Sequence, residues 1–155
     1  MSNFIFCAHR SSLILLMCLV ATLAQATQSS SPYTAANRYD VSGRITGMIL
    51  PDPDGSGPLK HGATRNSYNP QGLLDITENG ELALWQNELV RPSEWGTNFT
   101  VISSVKHYYD DKGRLIGKAV RDDAGQTISF TQMNYDSLDR VVCQASRINA
   151  IRLTM

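Results

Sequence analysis

Few residues in this chain lend themselves to covalent or ionic chemistry. It has three cysteines in 155 residues, and two of them, Cys7 and Cys18, lie within the first 26. Three histidines are present, of which His61 and His107 fall beyond that segment. No charge of one sign dominates: fourteen basic residues balance fourteen acidic ones, with no basic tract. That balance argues against nucleic acid or an anionic lipid surface as partner. Long apolar runs are missing too, except one of about eleven residues from Leu13 to Leu23. A spanning helix needs ~20.

That short run follows Arg10 and precedes Ala24-Gln25-Ala26, a small-x-small cleavage pattern. The order is that of a secretory signal peptide over 1–26, cut after Ala26. An uncleaved anchor is the competing reading, weakened by the run's length. A lipid anchor at Cys18 is weaker still, because Met17 precedes it inside the apolar run. The chain is expected to be secreted, periplasmic or held at the cell surface, with no membrane span after cleavage. Cleavage takes 26 residues from 155 and leaves 129, enough for one modest domain. The remaining cysteine, Cys143, can form no internal disulfide. Its neighbours Val141 and Val142 predict a buried thiol.

What the chain does have is a repeat. Tyr39-Asp40-Val41-Ser42-Gly43-Arg44, Tyr68-Asn69-Pro70-Gln71-Gly72-Leu73, Tyr109-Asp110-Asp111-Lys112-Gly113-Arg114 and Tyr135-Asp136-Ser137-Leu138-Asp139-Arg140 share one pattern. Each leads into an extended, β-prone run, so the architecture is a small unit copied in series. The letters suit turns. Tyr ends a strand, with its ring packed and its hydroxyl available. Asp or Asn bonds backbone N–H groups of the turn. Gly adopts positive φ without a steric cost, and Arg lays its stem over the sheet with its charge in solvent. A residue that recurs in every copy builds the copy; it implies no catalysis.

Residues 27–37, rich in Ser, Thr and Ala, read as a disordered lead-in, and residues 38–146 as the repeat domain. Strands are predicted at Thr100–Tyr109, Arg114–Arg121, Gln126–Tyr135 and Arg140–Ser146, joined by Asp/Gly turns as an antiparallel meander. Further upstream, Gly43–Leu50 is a strand before a wider turn at Pro51–Gly55. Leu73–Thr77 and Glu81–Gln86 read as a hairpin about Asn79-Gly80. Residues 87–98, with Pro92, Trp95 and Gly96, read as an insertion loop, and 147–155 as a tail outside the repeat.

The Tyr-Asp-x-x-Gly-Arg motif, four times over, resembles the YD repeat of the RHS family. The resemblance spans roughly residues 37–146 and implies an all-β, antiparallel meander of hairpins. Members of that family are large exported or surface proteins whose repeats wind into a hollow shell, in bacterial toxins around a C-terminal cargo. The Asp-Pro-x-Gly element of their self-cleaving segment has no counterpart, since Asp52-Pro53-Asp54-Gly55 lies in the first unit. Four copies are too few to close a shell. The resemblance therefore implies a non-enzymatic scaffold, either a fragment or a short relative of such shells. Its expected partners are a second copy or a larger RHS protein, joined through open strand edges.

Other candidate sites are weaker. Trp85, Trp95 and Tyr108 are rings that could form a platform for a surface carbohydrate or protein partner; burial in a core is the competing reading. Asp52-x-Asp54-x-Ser56 spaces oxygens as a calcium loop does, but Ala63 stands where an EF-hand needs Glu. Asn98-Phe99-Thr100 fits the glycosylation pattern. Cys143 with His61 or His107 lacks a nucleophile signature. No metal or cofactor is expected.

Overall fold

A computed structural model describes residues 34–55 and 57–148. The expected signal peptide, the expected lead-in up to residue 33, Ser56 and the expected tail from residue 149 lie outside the described residues. Among the described residues the protein is all-β, one open antiparallel sheet of eight strands in sequence order. The strands are β1 (Ala36–Tyr39), β2 (Ile45–Ile49), β3 (His61–Tyr68), β4 (Leu74–Leu82), β5 (Phe99–Tyr109), β6 (Leu115–Arg121), β7 (Thr127–Tyr135) and β8 (Val141–Ile148).

The four Tyr-Asp segments turn β1 into β2, β3 into β4, β5 into β6 and β7 into β8, so all four lie at one end of the sheet. The opposite end carries the wide 50–60 turn, the 83–98 connection and a tight turn at Asp122–Gln126. Each unit is a hairpin, and a register irregularity marks the Tyr of every corner.

Two boundaries differ from the sequence reading. Strand β1 starts at Ala36, inside the expected lead-in, because Ala36 pairs with Ile49 and packs into the core. Strand β8 runs to Ile148, two residues into the expected tail, because pairing with β7 continues through Ser129.

Asn79-Gly80 is not a turn; it lies within β4. Gly80 pairs with Ala63 on one side and Val101 on the other, and the ladder to β5 shifts at this point. A Cβ on Gly80 would sit 2.0 Å from the Thr100 carbonyl oxygen. The glycine permits a close backbone approach at a bulge, and pairing on both sides overrides the local turn preference. Of the expected Glu81–Gln86 strand, only Glu81 and Leu82 are extended, as the end of β4.

A single sheet cannot bury a face by itself. The 83–98 connection supplies the second layer. Two single-turn 3₁₀ segments, Pro92–Glu94 and Gly96–Asn98, fold it back so that Pro92 and Trp95 are buried. Trp95 joins Ala36, Ile49, Ala63, Leu82 and Phe99 in the core, with Trp85, Val90 and Val101 around them. Burying a Trp ring of roughly 150–250 Å² at about 25 cal/mol per Å² contributes roughly 4–6 kcal/mol. Gly47 makes the approach possible, since its Cβ would lie 2.5 Å from Pro92 Cγ and 2.9 Å from Trp95 Cη2. Over β6 to β8 there is no such layer among the described residues. Ala119 is the one buried hydrophobic residue there, and every residue of β8 is exposed.

Candidate functional site

The corners are built by their aspartates. Asp40 Oδ1 accepts the backbone N–H groups of Ser42 and Arg44 at 2.9 and 3.0 Å, and Oδ2 takes the Arg44 guanidinium at 2.7 Å. The Gly43 N–H donates to the Asp40 carbonyl at 3.0 Å, and Gly43 turns at φ 76°. Asp110 holds Lys112, Arg114 and the Arg114 guanidinium in the same way, and Asp136 holds Leu138, Arg140 and the Arg140 guanidinium. In the second copy Asn69 Oδ1 accepts from Leu73 alone, without an ion pair, and Gly72 turns at φ 80°.

The carboxyls respond accordingly. The Arg44 N–H and guanidinium pull Asp40 below the ordinary carboxylate range, and Arg140 does the same for Asp136. Burial pushes Asp110 up, but Arg114 and the Lys112 N–H outweigh it and the net direction is down. Asp122 repeats the geometry at the other end of the sheet. Its Oδ1 accepts Gln126 N–H at 2.7 Å and Gly125 turns at φ 77°. With Arg121 before it and Gln126 after it, this corner lacks the flanking letters, and only its Asp and Gly signalled it.

The corners are also tied to one another, which local turn chemistry could not reveal. The hydroxyls of Tyr68, Tyr109 and Tyr135 donate to the carbonyls of Ile45, Leu74 and Leu115 at 2.7, 2.8 and 2.7 Å. Each acceptor stands just after the last residue of the preceding corner. Burial, aided by the Asp75 carboxylate, raises the Tyr109 phenol and keeps it a donor.

The basic residue of one corner lies over the tyrosine of the next. Arg44 sits 4.4 Å from the Tyr68 ring centroid, and Arg114 sits 4.8 Å from that of Tyr135. These guanidiniums are clamped, not free in solvent as the sequence reading had them. They also reach the next corner's fourth turn residue. Arg44 Nη1 lies 3.0 Å from where a Cβ on Gly72 would be. Arg114 pairs with Asp139, which replaces glycine there and holds φ 59°.

The remaining candidates separate. Trp95 is 1 % exposed, so it is core and no part of a surface platform. Trp85 packs beside that core with its ring edge-on to His61, and Tyr108 lies across the sheet against Phe130. The three rings do not form one face. Cys143 is exposed, contrary to expectation, because among the described residues β8 is an edge strand with no layer over it. It is three strands from His107 on β5, roughly 14 Å at ~4.8 Å per strand, so the two make no pair. Burial lowers the His107 imidazole pKa. Asp52 accepts the Asp54 N–H and Asp54 accepts the Leu59 N–H, as turn residues do.

A cleft of about 940 Å³ lies between the corner end of the sheet and the 83–98 connection, lined among others by Arg38, Arg44, Arg65, Glu78, Glu88 and Arg91. Most of that charge is already engaged. Arg44 holds Asp40, Arg65 holds Glu78 at 2.6 Å, and Arg38 donates to the carbonyls of Gln86 and Asn37. Arg38 ties β1 to the connection, while Arg44 and Arg65 are spent within the first corner and between β3 and β4. No protein-family model matches the chain, and no curated protein is detectably similar to it in sequence. The row of corners is therefore the site whose geometry has to carry the functional reading.

Proposed function

We propose that this protein is an exported, non-enzymatic repeat scaffold, a fragment or short relative of RHS-type shell proteins built from YD repeats. One observation carries the reading. Wherever a Tyr-Asp corner has a predecessor, its tyrosine hydroxyl is bonded to that predecessor's strand. The repeated letters are thus spent on linking unit to unit, which is mechanical work. Each unit widens the sheet by two strands, about 10 Å. A wall grown this way encloses space or joins a larger wall.

The competing reading, a surface carbohydrate- or protein-binding module built on residues 85–109, loses the support of Trp95 to the core. The test is export. The chain produced in an expressing cell is expected outside the cytoplasm with Thr27 as its first residue, measured by intact mass. A full-length chain retained in the cytoplasm would overturn the proposal.

A further inference from the structure

The row of corners has two unfinished ends. At its start, Tyr39 is 57 % exposed, and no corner precedes it among the described residues. At its finish, Arg140 is clamped by Asp136, yet no tyrosine ring lies over it among the described residues, and its side chain is 72 % exposed against 25 % for Arg114. The carbonyl that would receive the next tyrosine hydroxyl is that of Val141. It corresponds to Ile45, Leu74 and Leu115, whose carbonyls face the following strand, so it faces the open edge of β8.

What this end lacks is a strand running antiparallel to β8 and closing on a tyrosine. Strand β1 meets that description. Odd-numbered strands all run one way and even-numbered ones the other, and β1 ends at Tyr39.

The register follows from the three joins between units. Gly47 pairs with Arg65, Ile76 with Lys106 and Gly117 with Gln132. Each pairs the residue three after a corner's last position with the residue three before the next tyrosine. Applied to the open ends, the same rule sets Cys143 opposite Ala36, two small residues that fit side by side.

We infer that two copies of this chain join head to tail, with β1 of one added to β8 of the other, Tyr39 donating to the Val141 carbonyl and lying beneath Arg140. The inference rests on the scaffold reading and names its partner as a second copy. Because the two joined surfaces differ, the contact does not close on itself as a two-fold dimer, and it propagates into longer assemblies. Pairing also removes both exposed edges, a recognised association hazard of open sheets.

Sedimentation velocity on the purified chain over the micromolar range tests this. Species larger than a dimer are expected, growing with concentration. Tyr39→Ala and Arg140→Ala are each expected to weaken association by about tenfold, and the double variant by much less than their product, since they touch each other. Gln144→Pro removes an N–H on the open edge, since Cys143 is hydrogen-bonded back to Asn134 of β7, and should leave a folded monomer that shortens wild-type assemblies by ending them. If that variant does not fold, the Tyr39–Arg140 cycle decides alone.

A monomer at all concentrations would overturn the inference and show the edges covered by the rest of the chain, leaving the export test untouched. A strict dimer indifferent to Tyr39→Ala would overturn it in favour of β8 pairing with β8.

Discussion

The tyrosine hydroxyls allow a graded test of the corner row. Tyr68, Tyr109 and Tyr135 each donate one hydrogen bond to the preceding unit, while Tyr39 has no preceding unit among the described residues. Phenylalanine removes the donor and keeps the ring. An intramolecular hydrogen bond contributes about 0.5–1.5 kcal/mol net, and a carbonyl left without a donor adds to the loss. The Ile45 carbonyl also accepts from Asn66 Nδ2 at 3.1 Å, so Tyr68→Phe leaves it bonded and costs about 0.5 kcal/mol. The Leu74 and Leu115 carbonyls receive no second side-chain donor among the described residues. Tyr109→Phe and Tyr135→Phe are therefore expected to cost about 1–2 kcal/mol each. Tyr39→Phe should cost nothing.

Urea unfolding at submicromolar protein, where association does not interfere, reads these differences as midpoint shifts at a common slope. The triple variant should lose roughly 2.5–4.5 kcal/mol, a large share of the 5–15 typical of a domain. The reasoning fails if Tyr39→Phe costs as much as the others, or if the triple variant unfolds at the wild-type midpoint.

Three further outcomes follow from the geometry. Asp139→Gly relieves a non-glycine residue at φ 59° but gives up its pair with Arg114. In 1 M salt, where the Debye length is about 3 Å, the strain term should win and the variant unfold at higher urea; in low salt the gain should shrink. Gly47→Ala places a methyl against Pro92 and Trp95 and is expected to cost about 1–3 kcal/mol, with a change in tryptophan fluorescence as the 83–98 connection lifts.

Acid should weaken the fold in two stages. His107 is lowered in the folded state, so the unfolded chain binds its proton first, and stability falls as pH drops through the ordinary value of 6.5. Asp40, Asp110 and Asp136 are also lowered, so their contribution is complete above 3.8 and lost as pH falls through their folded values. His107→Gln should abolish the first stage and leave the second, checked by urea midpoints across pH.

How much of this could be read from residues alone depended on distance along the chain. The corners were legible because an Asp bonding residues two and four ahead, followed by a glycine at positive φ, is satisfied within six residues. The strands of the last third were legible to within two residues for the same reason, each being bounded by such a corner.

What failed was whatever needed a partner far away. Asn79-Gly80 has turn letters, but neighbours on both sides hold it straight. Cys143 has apolar neighbours, but burial needs a second layer that no strand pattern announces. For Trp95 the sequence favours core over platform, and the path of the 83–98 connection shows which core it joins. The bond from Tyr135 to Leu115 crosses 20 residues, and nothing local encodes it.

The 83–98 connection covers only the first half of the sheet, and this sets an order of release. Amides of β3 and β4 lie under Trp95 and Phe99, whereas every residue of β8 is exposed and no described segment covers it. Deuterium should enter the last hairpin first and the first pair of hairpins last, so the molecule frays from one margin like cloth hemmed along the other.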